Sequence, residues 1–340
     1  MIRVERFTGP EEAWDAFAIA QPGYTHFHRL RWRAVMERVF GHECVYLAAR
    51  NTENELVGVL PLVRVRSVVF GHFLVSMPFL NYGGPLGTDA GIQALIDEAV
   101  EFARRDGVKL LELRSNIPLP ISLPVSHRKI TVLLDLPGNP EALLKAFGAK
   151  LRSQIRRPQK EGVTVAFGRD QVEPFYAVFA RHMRDLGTPT QSIAFFREIA
   201  DQFPDDCWFA CAYLAGQPVA GGCGFRFGDV FEMTWASSLR EFNRESPNML
   251  LYWEYMKRAI DEGVSLFNFG RCTPGSGTHR FKMQWGGREQ PLWWYGVGAA
   301  SGATTPSPND AAFRWGPRIW RRLPASIATA FGPSIVRYIP

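Results

Sequence analysis

The sequence has no apolar run approaching the roughly 18 residues that a membrane-spanning helix requires, so no span is expected. It also lacks Cys-x-x-Cys spacing. The five cysteines, Cys44, Cys207, Cys211, Cys223 and Cys272, are scattered and odd in number, which favours buried thiols in a reducing compartment over disulfides or zinc. The histidines show no ligand spacing, and no metal is expected. Neither a GxxxxGK[ST] loop nor a GxGxxG turn occurs. No Ser-His-Asp or Cys-His order suggests a nucleophile, so direct transfer is favoured over a covalent intermediate. The polar opening segment, residues 1–14, shows no signal-peptide pattern, and a cytoplasmic location is expected.

What is present suits a folded enzyme. The 340 residues suffice for two domains. With 46% hydrophobic and 21% charged residues the composition is globular rather than disordered. The net charge of +6 admits polyanionic partners: a phosphorylated cofactor, an anionic lipid surface or RNA.

Two stretches read alike. Residues 47–66 and 208–227 each hold two apolar runs joined by a polar turn, the pattern of an antiparallel hairpin. Residues 94–114 and 249–269 each read as a helix closed by glycine (Gly107, Gly263) and followed by a strand. Hairpin, helix and strand thus occur twice, about half the chain apart. The units are placed at 1–125 and 126–300, with the Pro-rich stretch 117–124 as linker. Residues 301–308 form a second joint before a tail ending at 340.

The second unit carries the denser signals. Ser246 as N-cap and Pro247 at the first helical position begin a helix whose face Met249, Tyr252, Trp253, Met256 and Ile260 belongs to the core. Arg240, Asn243, Ser246 and Asn248 gather at its start, where free N–H groups would suit an anion. Between a strand ending at Phe269 and a short helix lies a loop containing Gly270, Arg271, Gly275, Gly277 and Thr278. Its backbone freedom would let a donor approach main-chain amides. Arg152, Arg156 and Arg157 lie in a basic helix, either a phosphate clamp or a solvated face. Trp32, Tyr82, Gly83 and Gly84 in the first unit, and Trp235 and Trp285 in the second, are candidates to line an acceptor groove.

Phe281-Lys282-x-x-Trp285-Gly286 after the Gly-rich loop resembles the signature of FemAB-type transferases. So do the segment 267–271, Pro247-Asn248, and Gly83-Gly84-Pro85. The loop at 273–278, residues 182–189 and the tail further resemble FemAB-like proteins associated with PEP-CTERM/exosortase systems. The resemblance covers nearly the whole chain. It implies an α/β (α+β) fold of tandem GNAT-like domains, each a mixed, mostly antiparallel sheet flanked by helices, plus a short helical tail. It also implies acyl or aminoacyl transfer, from acyl-CoA or aminoacyl-tRNA, to an amine of a peptidoglycan or exopolysaccharide precursor. Asn268 stands where the family has Asp, and Cys272 where a small hydroxyl residue is usual. The Asn leaves open a non-catalytic binding module, against which the intact Phe281-Lys282 argues.

An amine must lose a proton as it attacks. Glu232 is the acid/base candidate, and Lys282, by match to the Phe-Lys motif, the expected oxyanion donor. Lying on a short helix, Lys282 is expected to be removable at little cost in stability. The expected partners are a phosphorylated donor, tRNA among them, and a glycan or peptide acceptor that may be lipid-linked. The tail, 309–338, interleaves Arg314, Arg318, Arg321, Arg322 and Arg337 with Phe313, Trp315, Ile319, Trp320 and Leu323. That pattern fits peripheral contact with the inner face of the cytoplasmic membrane or packing on the second domain.

Overall fold

The computed structural model describes residues 1–68, 70–298 and 316–339. In chain order the first half contains β1 (Arg3–Arg6), α1 (Glu11–Ile19), α2 (Trp32–Phe40), β2 (Glu43–Arg50), β3 (Leu56–Ser67), β4 (Gly71–Ser76), β5 (Leu86–Gly87), α3 (Asp89–Arg105), β6 (Leu110–Ser115) and β7 (Val125–Ser126). The second half begins with β8 (Ile130–Asp135), α4 (Pro140–Ala146), α5 (Ala149–Lys160), β9 (Thr164–Phe167), α6 (Val172–Leu186) and α7 (Ile193–Gln202). It continues through β10 (Cys207–Leu214), β11 (Gln217–Phe227), β12 (Val230–Ser238), α8 (Pro247–Asp261), β13 (Leu266–Cys272), α9 (Gly277–Met283) and β14 (Arg288–Pro291). After β15 (Trp293–Gly298) come α10 (Gly316–Trp320) and α11 (Ala325–Val336).

Two compact units result, one built on Met1–Lys129 and the other on Ile130–Gln290. Each holds one mixed, mostly antiparallel sheet. Their strand orders are β1-β2-β3-β4-β6-β15-β7, with β5 beside β3, and β14-β8-β13-β12-β11-β10-β9. The hairpins expected over 47–66 and 208–227 are β2–β3 and β10–β11. The expected helix-then-strand pairs are α3–β6 and α8–β13. In the first sheet β4 pairs in parallel with β6, and in the second β12 pairs in parallel with β13, as a crossover through the long helix allows. Trp293–Gly298, inside the stretch 126–300, pairs with β6 and lies in the first sheet.

The amphipathic pattern explains the packing. On α3 the residues Ile92, Leu95, Ile96, Ala99, Phe102 and Ala103 recur at three- and four-residue spacing and are buried on the first sheet. On α8, Met249, Tyr252, Trp253, Met256 and Ile260 are all buried in the second core. Ser246 does not cap this helix. It takes a left-handed φ of 57° and makes no side-chain cap bond, so Pro247 alone marks the start. The Pro-rich stretch is also less free than a linker: Leu119 is buried, and its N–H donates to Tyr295 Oη at 2.9 Å.

The β11–β12 register slips by one residue between Cys223 and Gly224, leaving Thr234 as the extra residue of a bulge. A Cβ on Gly224 would lie 2.4 Å from Glu232 O and 2.5 Å from Phe231 Cζ. Gly224→Val is therefore expected to destabilise the protein by about 3 kcal/mol. Urea denaturation checks this, and an unchanged midpoint would mean that the strands part freely there.

Of the tail, the joint 301–308 and residues 309–315, with Phe313, Arg314 and Trp315, lie outside the described residues. The following stretch packs on the second unit: Arg321 Nη2 donates to Leu186 O at 3.1 Å and Arg184 Nη1 to Leu323 O at 3.3 Å. In the first unit, His42 Nε2 lies 2.7 Å from Arg337 O. Among the described residues no helix is long and apolar enough to cross a membrane.

Candidate active site

In the second sheet β12 and β13 pair in parallel over only three rungs, Val230–Leu266, Phe231–Phe267 and Glu232–Asn268. Beyond the last rung β12 runs on to Ser238 and β13 to Cys272 without pairing to each other. β12 remains paired with β11 and β13 with β8, but the edges they turn toward each other have no partner strand, and an extended amide-bearing chain could take that place. Phe231, Met233, Phe267 and Phe269 belong to the core beneath α8. By strand alternation Glu232 and Asn268 face the other way.

Glu232 is fully buried at the point where the pairing ends. Asn268 Nδ2 donates to Glu232 Oε2 at 3.2 Å. Asn268 Oδ1 accepts from Gly270 N at 2.8 Å and from Thr131 Oγ1 of β8. These acceptor contacts assign the amide orientation. An ionised Asp here could offer Glu232 no N–H and would set a second carboxylate beside it, disfavouring ionisation of both. Asn268 instead offers the Glu232 side chain an N–H. Thr131 carries no sequence signal, since it lies 137 residues from its partner.

Gly270 turns through a left-handed φ of 70°, and its carbonyl accepts from Lys282 Nζ at 2.6 Å. Lys282 Nζ also donates to Arg271 O at 3.0 Å. The side chain is only 4% exposed, and burial pushes its pKa down to about 8. The Phe-Lys motif therefore clamps the end of β13. Lys282 touches backbone carbonyls and is not the exposed residue of a short helix that the sequence suggested.

The anion sites expected at the loops are largely committed internally. Gly270 N is held by Asn268, and Gly275 N donates to His279 Nδ1 at 3.0 Å. Gly277 and Thr278 open α9, which Ser276 caps. Arg271 is half-buried. At the start of α8, Pro247 has no N–H and Met249 N donates to Ser246 O at 3.0 Å, so two of the first three helical positions offer nothing to a phosphate. Arg240 Nη2 donates to Asp185 O at 3.3 Å, and Asn243 O accepts from Ser246 Oγ. Asn248 Oδ1 and, on the unpaired part of β12, Thr234 Oγ1 are buried without a hydrogen-bond partner.

The aromatic candidates are mostly core. Trp32 is fully buried, its indole N–H donating to His26 O at 3.1 Å. Trp285 packs against Phe147, Tyr252 and Phe269. Trp235, half-buried beyond Glu232, meets Phe195 and Phe196 edge-on. Tyr82, Gly83 and Gly84 are buried too, and they explain why the first unit has no equivalent gap. There β4 and β6 pair over Phe73–Leu110, Leu74–Leu111 and Val75–Glu112. Past that point the chain fills its own opening: Gly83 N donates to Arg114 O at 3.1 Å and Arg114 Nη1 to Leu80 O at 3.2 Å. Val75 occupies the rung that Glu232 holds in the second sheet.

On α5, Leu151 and Ile155 are buried, whereas Arg156 and Arg157 are exposed and line a surface hollow with Arg152, Ser153 and Lys160. Arg157 pairs with Glu161 at 3.0 Å. Arg152 reaches back to Phe147 O. Among the described residues Arg156 has no hydrogen-bond or ion-pair partner. Cys272 is buried at the end of β13, and none of the five cysteines forms a disulfide.

Residues 145–283 match the family model of an acetyltransferase (GNAT) domain, the stretch that holds α5, Glu232, Asn268 and Lys282. Comparison with curated proteins finds no match. Among solved structures the chain is similar to FemX, with a TM-score of 0.66 and 15% identity over 87% of this chain and 98% of that one. It is similar to L-PGS from Bacillus licheniformis, with a TM-score of 0.56 and 14% identity over 93% and 98% of the two chains. A tandem GNAT protein from the clavulanic acid biosynthesis pathway gives a TM-score of 0.50 and 11% identity over 88% and 100%. The fold is that of tandem GNAT-like domains. With its acetyltransferase domain in the second unit, the chain is an acyltransferase.

Proposed function

We propose that the second unit transfers an acyl or aminoacyl group to an amine of a cell-envelope or exopolysaccharide precursor. The observation that carries this reading is the buried Glu232 at the point where β12 and β13 stop pairing, with the matching opening of the first sheet filled by its own chain. The pantetheine arm of an acyl-CoA donor enters the gap as an added strand, its amides meeting the unpaired edge of β12 together with Thr234 and Asn248. The amine attacks the carbonyl carbon. Glu232 takes one of its protons directly or through one water and returns it to the leaving group as the bond to the carbonyl carbon breaks, so that the donor departs as a thiol or a ribose hydroxyl. Lys282 fixes the Gly270–Arg271 edge of the gap.

The acetyltransferase domain implies a donor of the acyl-CoA type, and the resemblance to FemAB transferases adds aminoacyl-tRNA. A glycan or peptide acceptor follows from the same resemblance, exosortase-associated proteins included. Either donor carries phosphate, which Arg152, Arg156 and Arg157 of α5 would grip. Arg156→Ala and Arg157→Ala are each expected to weaken donor binding about tenfold, and more salt should weaken it further. Thermal shift and titration with acetyl-CoA, longer acyl-CoA and charged tRNA check this. Unchanged affinity for every donor in both variants would return α5 to a solvated face.

A further inference from the structure

Eight large apolar side chains stand exposed among the described residues, and three of them, Ile319, Ile327 and Phe331, fall within α10 and α11. A fourth, Leu186, is the residue whose carbonyl Arg321 holds. Ile319 and Phe331 are each 62% exposed. Their exposure does not come from a loosely attached segment. Pro317 packs on Gly187, Gly332 lies against Thr190, and Ala328 is buried on the same stripe of α11 as Gly332. The helices are seated on the end of α6, and the apolar side chains point away from that seat. On α11, Ile327 and Phe331 are one helical turn apart and share a face.

Charge completes the pattern. Arg318, Arg321 and Arg322 are exposed beside Ile319, and no acidic residue occurs from 316 to 340. Arginines around protruding aliphatic and aromatic side chains match the boundary of an anionic bilayer, where the apolar groups leave water and the guanidinium groups meet lipid phosphate. RNA is less well matched: it rewards stacking planes, and two of the three protruding tail residues are isoleucines. No single long amphipathic helix is required, because the surface is made of two short helices, α10 and α11, with Pro324 between them.

We propose that α10 and α11 form a docking surface for an anionic lipid bilayer, with Ile319, Ile327 and Phe331 entering the headgroup layer and Arg318, Arg321 and Arg322 binding lipid phosphate. The test reads binding and not turnover. The full chain is sedimented with phosphatidylcholine vesicles with and without phosphatidylglycerol, at low and high salt. Binding is expected only with phosphatidylglycerol, and more weakly in salt. The pair Arg318→Gln/Arg322→Gln should reduce it about 25-fold, taking roughly fivefold per arginine. The pair Ile327→Ser/Phe331→Ser should reduce it about tenfold or more with the melting temperature unchanged. The proposal is overturned if the wild type fails to bind phosphatidylglycerol vesicles, or if neither pair weakens binding. It is equally overturned if the serine pair binds like wild type, since the apolar residues would then not enter the bilayer. A chain that runs as a dimer, becomes monomeric in the serine pair and ignores vesicles would assign the surface to self-association instead.

Discussion

Glu232→Gln is expected to lower turnover about a thousandfold, within the range for loss of a general base, while the fold stays intact. Glutamine keeps the shape of the side chain, and its carbonyl can still accept from Asn268 Nδ2, now 3.2 Å from the carboxylate. What it loses is the ability to take the amine proton. Donor affinity should change little, because the pantetheine arm of the donor is held by the strand edges rather than by this group. Single-turnover kinetics with saturating donor, together with a melting curve, separate the two effects. Wild-type turnover in a correctly folded Glu232→Gln protein would remove this residue from the mechanism and leave proton transfer to water.

Lys282→Met should separate stability from activity in another way. Methionine fills most of the lysine volume without the buried charge, but leaves Gly270 O and Arg271 O without their donor. The two changes oppose each other, so stability near pH 7 should stay within about 2 kcal/mol of wild type. The edge of the gap would loosen, and a displacement on the order of 1 Å is enough to cost about 100-fold in rate. The pH dependence is distinctive. Burial holds the folded-state pKa near 8, against 10.5 for a free lysine, so between these values the unfolded chain binds more protons than the native one. Wild-type stability should therefore rise from pH 8 to 10.5 relative to Lys282→Met, by up to about 3 kcal/mol. Denaturant titrations across that window measure it. Parallel stability profiles would mean that the ammonium is not desolvated, and unchanged turnover would mean that the clamp has no role in catalysis.

The sequence alone determined the parts of this protein that depend on local pattern. Alternation at 47–66 and 208–227 made hairpins, and three- and four-residue spacing at Ile92–Ala103 and Met249–Ile260 made two buried helix faces. Their recurrence disclosed a duplicated α/β unit, and Phe281-Lys282 directed attention to the correct half. Glu232 was singled out by its place on a strand. What residues do to one another across the sheet was not legible. Gly83-Gly84 reads as a turn that could line a groove, yet it plugs the first unit's opening because β4 and β6 diverge just there. Trp32 and Trp285 read as ligand platforms and are core, since an indole's large apolar area is buried unless something else occupies the space. Asn268 looked like a loss of function until its amide was seen between Thr131, Gly270 and Glu232. Ser246 fits an N-cap by composition, but its left-handed backbone turns the hydroxyl away from the helix. Local preferences follow from a residue and its near neighbours, whereas the partner of a buried polar atom is chosen by which distant strands the fold sets side by side, and that choice exists only once the core has closed.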